Sequence, residues 1–115
     1  MWPFRKASLF RRLDDLYSVT GQLKVADLPA IAEAGFTVLV CTRPDGEETG
    51  QPAFADIAAA AQKLGLASHH IPVSGLPDPR QVAAMREVMA ASDGQVLGWC
   101  RSGARAETLR RMADD

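Results

Sequence analysis

The chain has 115 residues, with 13 Lys and Arg against 14 Asp and Glu, so its formal net charge is -1. This length predicts one domain, and a composition of 47% hydrophobic and 23% charged residues excludes a disordered chain, a collagen-like repeat and a basic nucleic-acid coat. No apolar run approaches the roughly 20 residues that span a bilayer, and the first 13 residues contain no signal-peptide core. We therefore expect a cytoplasmic protein without stable membrane insertion and without nucleic-acid binding. The oligomeric state does not follow from these numbers.

The two cysteines, Cys41 and Cys100, are too few and too far apart for a disulfide scaffold. No Cys and His residues are spaced as zinc ligands. We expect reduced thiols, no metal and no cofactor.

Strand and helix patterns alternate from residue 17 onward. The predicted strands are 17–22, 36–41, 67–73 and 95–99, and the predicted helices are 25–34, 52–64, 80–91 and 104–113. The run FTVLVC at 36–41 is typical of a strand that is covered on both faces. This order predicts an α/β domain over residues 17–115, with a mostly parallel sheet of four to five strands flanked by helices.

The first 16 residues combine basic and apolar side chains and fit the alternating pattern least well. We interpret residues 1–16 as an N-terminal arm that packs its aromatic side chains on the domain. The alternative is a short amphipathic helix after Ser8, which could touch anionic lipid.

Three segments follow the carboxyl ends of predicted strands, namely 41–51, 74–79 and 100–105. Ligands of open α/β sheets collect at these ends, so we expect the three segments to converge.

The sequence CRSGAR at 100–105 lies between a strand and a helix. Backbone N–H groups at a helix N-terminus stabilise an anion, and such positions lower the pKa of a cysteine, so Cys100 is predicted to be a thiolate nucleophile. Gly103 permits close backbone approach, and Arg105 can fork two hydrogen bonds onto an oxyanion. The alternatives are a buried thiol and a surface arginine. The predicted anion-binding residues are Arg101, Ser102, Gly103, Ala104 and Arg105.

A cysteine phosphatase also needs a general acid, and Asp78 lies at the expected sheet edge. Asp78 followed by Pro79 is also typical of a helix N-cap with proline in the first turn, and the sequence favours this interpretation. The alternative acids are Asp45, Glu47 and Glu48. Turn chemistry alone explains the PDG sequence in that block. Arg43 could add positive charge to the site or pair with these acids.

Cys41 ends the strand 36–41 and should reach the same sheet edge as Cys100. It is either a resolving cysteine that forms a disulfide with Cys100 or a buried thiol. His69 and His70 are neighbours in a predicted strand and should point to opposite faces, so they cannot form a two-histidine metal site by themselves.

Four blocks of the sequence carry a resemblance to a known family. They are LDDLYSVTGQL, GFTVLVCTRPDGEETGQP, GLASHHIPVSG and VLGWCRSGAR, all within residues 13–112. They resemble the small bacterial family of beta-lactamase hydrolase-like phosphatase domains, also called DUF442, whose members are described as sulfurtransferases as well. The resemblance implies a fold like that of the protein tyrosine and dual-specificity phosphatases. It also implies that Cys100 is the nucleophile and Arg105 the anion-binding arginine.

The loop departs from the tyrosine phosphatase pattern, because its spacing is Cys-x4-Arg instead of Cys-x5-Arg and Trp99 precedes the cysteine. It is similar to the six-residue active loop of rhodanese-type sulfurtransferases. The terminal sulfur of a persulfide is one atom, whereas a phosphoryl group needs room for three equatorial oxygens. The first hypothesis is therefore sulfur transfer through a Cys100 persulfide, with a small anionic or persulfide substrate. The second is a phosphatase, and the third is a non-catalytic module that binds an anion or a partner.

Overall fold

The computed structural model describes residues 10–114, and within them five strands form one sheet in the order β1-β2-β5-β3-β4. The strands are β1 (Arg11–Arg12), β2 (Tyr17–Thr20), β3 (Phe36–Cys41), β4 (Ala67–His70) and β5 (Gln95–Trp99). Only the β1–β2 pair is antiparallel among these strands. The predicted mostly parallel α/β sheet is thus confirmed.

Four helices of the described chain cover the two faces of the sheet. They are α1 (Leu28–Glu33), α2 (Phe54–Lys63), α3 (Pro79–Ala91) and α4 (Ala104–Ala113). Helices α1 and α2 pack on one face, against Leu39 and Cys41, whereas α3 and α4 pack on the other, against Val38 and Val40. Alternate residues of β3 therefore enter two separate cores, which explains its continuous apolar sequence.

Two predicted elements are shorter than expected. The helix predicted over 25–34 is divided into a 3-10 turn, Val25–Asp27, and α1, which has a proline in its first turn. The strand predicted over 67–73 ends at His70, because Pro72 has no N–H to donate to a ladder. Its continuation still lies beside β3, since Val73 N–H donates to the carbonyl of Thr42 at 2.9 Å.

The alternative of a helix after Ser8 does not hold for the part of the arm that the structure describes, because Arg11–Arg12 form β1. Asp14 causes this difference, since its carboxylate accepts the N–H groups of Leu16 and Tyr17 and closes a tight turn. Phe10 packs edge to face on Phe36, with ring centroids 5.3 Å apart. The aromatic residues Trp2 and Phe4, which are also predicted to pack on the domain, lie outside the described residues. The boundary between the arm and the domain at residue 16 stays a prediction. No helix within residues 10–114 is long and apolar enough to cross a membrane.

The carboxyl ends of β3 and β5 are neighbours in the sheet. Cys41 pairs with Trp99 in the parallel register, and Thr42 N–H donates to the Trp99 carbonyl at 2.8 Å. Cys100 follows Trp99 directly, so the two cysteines end adjacent strands at one edge of the sheet.

Candidate functional site

The loop from Cys100 to Arg105 connects β5 to α4 and curls around the cysteine sulfur. Gly103 is the N-cap of α4 with φ 97°, a conformation that favours glycine. Its N–H donates to Cys100 Sγ at 3.0 Å. Cys100 is only 1% exposed, so its sulfur sits at the base of the loop with backbone donors directed at it.

These donors decide the ionisation of Cys100. Burial acts to raise the pKa of the thiol, but the backbone N–H groups around it outweigh that effect and lower the pKa below its ordinary value. They belong to Ala106, Ser102, Arg105 and Gly103. The predicted thiolate therefore has a physical cause in the first turn of α4 and the loop before it.

The end of β2 supports the loop from below. Gln22 N–H donates to the Arg101 carbonyl at 3.4 Å, and a Cβ on Gly21 would lie 3.0 Å from the same oxygen. A side chain at position 21 would therefore press on the Arg101 carbonyl and require the loop to shift, so Gly21 favours the close approach of the loop.

Tyr17 fixes the start of α4 from inside the core. Its hydroxyl donates to the Ala106 carbonyl at 3.1 Å, and the side chain is fully buried. Gly98 of β5 leaves the space that the Tyr17 ring occupies, because a Cβ there would overlap the tyrosine hydroxyl. The helix that supplies amides to Cys100 is thus held by a buried hydrogen bond.

Arg105 lies at the other end of the loop and is bound by Glu47. Its two terminal nitrogens reach the two Glu47 carboxylate oxygens at 2.7 and 2.8 Å. Nη1 also donates to the Val73 carbonyl at 2.8 Å. The hydrogen bonds to Glu47 raise the pKa of Arg105, and the negative charge of a Cys100 thiolate adds to this effect. All three predicted segments therefore meet at Arg105, because residues 75–77 of the segment 74–79 line the same depression as Arg105.

Arg43 is 2% exposed and pairs with the predicted acids instead of facing the loop. Its Nε donates to Glu47 at 2.9 Å, and its Nη2 donates to Glu48 at 3.0 Å. Hydrogen bonds from Arg105, and then from Arg43, lower the pKa of Glu47 to about 2. Glu47 is therefore an ionised bridge between two arginines at neutral pH.

Asp78 and Asp45 both cap helices. Asp78 accepts the N–H of Gln81 at 2.9 Å, and the Gln81 side chain accepts the N–H of Asp78, which makes a capping box at α3. Asp45 accepts the N–H of Phe54, the first residue of α2, at 2.9 Å. The geometry thus matches the capping alternative for Asp78, and a role as general acid stays a prediction for both carboxylates.

Cys41 and His70 make their contacts with residues outside the Cys100–Arg105 loop. The Cys41 thiol donates to the Arg43 carbonyl at 3.4 Å, and burial raises its pKa to about 12. His70 stacks on Phe54 at 4.5 Å, whereas His69 is exposed on the opposite face of β4, as predicted. No group of three or more potential metal-ligating side chains occurs within residues 10–114.

The remaining loop positions border solvent. Arg101, Ser102 and Ala104 are exposed, and the Ser102 hydroxyl accepts the Ala104 N–H at 3.4 Å. An open depression of about 250 Å³ adjoins Arg105 on the side of the loop that precedes α3. Its lining includes Leu76 and Thr108, and Leu76 is 81% exposed at its margin.

The sequence analysis missed Gln22 and the Val73 carbonyl. Gln22 accepts a hydrogen bond from Arg43 Nη1 at 2.9 Å. The end of β2 was left out of the segments expected to converge, although its place beside β5 in the sheet is the signal that would have included it.

Comparison with known proteins identifies the family. The sequence profile described as "Beta-lactamase hydrolase-like protein, phosphatase-like domain" matches residues 9–114. A beta-lactamase hydrolase-like protein of Agrobacterium fabrum is 36% identical over 85% of this chain, and one of Xylella fastidiosa is 31% identical over 89%. The chain spans only 23% and 24% of the lengths of these two relatives.

Solved structures of similar proteins agree with this fold. A candidate phosphatase of Neisseria meningitidis Z2491 has a TM-score of 0.80 at 33% identity, and covers 90% of this chain and 76% of its own. A DUF442 protein of Shewanella putrefaciens CN-32 has a TM-score of 0.82 at 18% identity, with 97% and 76% covered. Kinase associated phosphatase, with its catalytic-site cysteine replaced by serine, has a TM-score of 0.67 at 15% identity, with 85% and 66% covered. Below 25% identity such likeness shows the fold alone. The chain belongs to the phosphatase-like domain family of the beta-lactamase hydrolase-like proteins, with a protein tyrosine phosphatase-like fold.

Proposed function

We propose that this domain transfers sulfur through a persulfide on Cys100. The Cys100 thiolate attacks the outer sulfur of a donor such as thiosulfate, a new S–S bond forms, and sulfite leaves with the electron pair of the broken bond. A nucleophile such as cyanide or a thiolate then takes the outer sulfur, and Cys100 returns to the thiolate. No proton is gained or lost by the enzyme in either step.

The observation that carries this proposal is the hydrogen bond of 3.0 Å from Gly103 N–H to Cys100 Sγ within a six-residue loop. This amide stabilises the Cys100 thiolate that attacks the donor, and a loop of six residues suits a single-atom anion such as the terminal sulfur of a persulfide. The amides and Arg105 would hold the persulfide without a metal or an organic cofactor.

The carboxylates near the loop support the same reaction. Glu47, with a pKa of about 2, has no proton to give at neutral pH, and the side chains of Asp45 and Asp78 cap helices. Hydrolysis of an alkyl phosphate needs a proton donor for its leaving group, whereas sulfite leaves readily as an anion. Sulfur transfer therefore fits the residues around Cys100 better.

Phosphomonoester hydrolysis is the second candidate, and family membership favours it. In that reaction the Cys100 thiolate attacks phosphorus, the phosphocysteine is hydrolysed by water, and Asp78 or an acid of 45–48 protonates the leaving oxygen. Acidic leaving groups such as aryl oxides need little protonation, so an aryl phosphate is the appropriate substrate to test.

The test compares wild type, Cys100→Ser and Asp78→Ser in two assays, thiosulfate with cyanide and an aryl phosphate. We expect thiocyanate formation that Cys100→Ser abolishes, with little phosphate release. Asp78→Ser is the matched control, because serine caps the helix but cannot act as the acid. We expect it to leave sulfur transfer unchanged.

Phosphate release that depends on Cys100, without sulfur transfer, would contradict the proposal, and a loss of that release in Asp78→Ser would identify the acid. No turnover in either assay, together with sulfate binding at the loop, would favour the anion-binding module.

A further inference from the structure

We propose that Glu47, anchored by buried Arg43, is the positioning residue that aims Arg105 at the loop anion. Glu47 does not touch Cys100 in this geometry. It acts through the guanidinium, by fixing which of its N–H groups remain for a ligand. The inference rests on the proposed function only in taking the Cys100–Arg105 loop as the anion site.

The hydrogen bonds of Arg105 give the first argument. A guanidinium has five N–H groups in a rigid plane. Three of them donate to the two Glu47 oxygens and the Val73 carbonyl, at 2.7 to 2.8 Å. The plane is thereby fixed by a bidentate pair and a backbone oxygen. The two N–H groups that remain, on Nε and Nη2, share one edge of the plane and are the donors left for an anion in the loop.

Burial of Arg43 gives the second argument. It is 2% exposed and donates hydrogen bonds to three side chains, namely Gln22, Glu47 and Glu48. The hydrogen bond from Arg43 Nε to Glu47 at 2.9 Å therefore holds this carboxylate in place beside Arg105. Gln22 also donates its backbone N–H to the Arg101 carbonyl. The hydrogen bonds of Arg43 are therefore connected to the backbone of the loop through Gln22.

Glu48 provides a matched control within the chain. It is adjacent in sequence to Glu47 and binds Arg43 at 3.0 Å. The hydrogen bonds of Arg105 go to Glu47 and the Val73 carbonyl, and none is to Glu48. A Glu48→Gln substitution therefore changes the charge around Arg43 while leaving the orientation of Arg105 intact.

The experiment measures how inorganic sulfate protects Cys100 against iodoacetamide, in the full 115-residue chain. The variants are Glu47→Gln, Glu48→Gln, Arg105→Met and the double variant Glu47→Gln/Arg105→Met. Glutamine has the size of glutamate, and thermal unfolding verifies that each variant folds. We expect Glu47→Gln to weaken sulfate binding about tenfold and Glu48→Gln less than about twofold, in keeping with the loss of charge-assisted hydrogen bonds that orient a donor. In the Arg105→Met background, Glu47→Gln should have no further effect.

The double variant separates positioning from a general structural role, because a structural defect would persist without Arg105. Equal effects of Glu47→Gln and Glu48→Gln would overturn the proposal. So would tighter sulfate binding in Glu47→Gln, since Glu47 would then be a competing anion. If sulfate does not protect Cys100 in the wild-type protein, the loop is not an anion site and the proposal is overturned. The probe is not turned over, so failure of sulfur transfer does not affect this test.

Discussion

Cys41 and Cys100 end neighbouring parallel strands at the same edge of the sheet, and both are at most 3% exposed. Their thiols nevertheless shift in opposite directions. Burial raises the pKa of Cys41 to about 12, whereas in Cys100 the backbone amides overcome burial and lower the pKa. The Cys41 thiol donates to a carbonyl, while Cys100 accepts from Gly103.

The difference shows that burial does not decide the reactivity of a cysteine in this fold. Both strands end at a position where ligands collect, but only β5 continues directly into a loop and a helix N-terminus. The chain after β3 instead enters the acidic segment 45–48, which binds the two arginines.

The largest expected effect is on alkylation. At pH 7 a thiol with a pKa of about 12 is only about one part in 10⁵ ionised, so we expect iodoacetamide to modify Cys100 first by a wide margin. Peptide mass spectrometry after timed quenching measures both sites. Cys41→Ser is the control, and it should leave the rate at Cys100 unchanged. Modification of Cys41 at a comparable rate would abolish the contrast between the two thiols.

A smaller effect is expected for Gly103→Ala. Gly103 has φ 97°, which costs a residue with a Cβ about 1–2 kcal/mol, and the new Cβ would lie 3.3 Å from the Thr20 carbonyl. The pKa of Cys100, measured as the pH dependence of its alkylation, should rise because the Gly103 N–H moves away from the sulfur. Gly50→Ala is a control, since φ is positive there too but nothing lies within 4 Å. An unchanged Cys100 pKa in a destabilised Gly103→Ala protein would mean that this amide does not set the pKa.

The smallest effect concerns the pH dependence of stability at Glu47, which bridges Arg43 after β3 and Arg105 after β5. Its pKa is lowered from 4.5 to about 2, first by Arg105 and then by Arg43. A lowered pKa gives stability that is present above the unfolded value and lost as the pH falls through the folded one. The Tm of thermal unfolding should therefore fall more steeply between about pH 5 and pH 2 in wild type than in Glu47→Gln. Parallel curves would show that the ion pairs with Arg43 and Arg105 contribute nothing to stability.

Much of the fold follows from the local sequence. The continuous apolar run of β3, the glycines that end α1 and α2, and the helical spacing in α3 all lie where the pattern predicts them. The β1 strand was missed, because two consecutive arginines carry no strand pattern and their pairing depends on the Asp14 turn and on contact with β2.

In the candidate site, too, some features could be predicted from the sequence and others could not. CRSGAR between a strand and a helix was enough to predict Cys100 as a thiolate, because helix N-termini stabilise anions wherever they occur. The partner of Arg105 was not predictable from spacing, since Glu47 is 58 residues away and reaches it only because β3 and β5 are neighbours. Sequence by itself determined most of the elements and indicated Cys100 as the candidate nucleophile, because both depend on short-range backbone geometry. Only the tertiary structure decided which charges meet, because strand order brings distant loops within hydrogen-bonding distance.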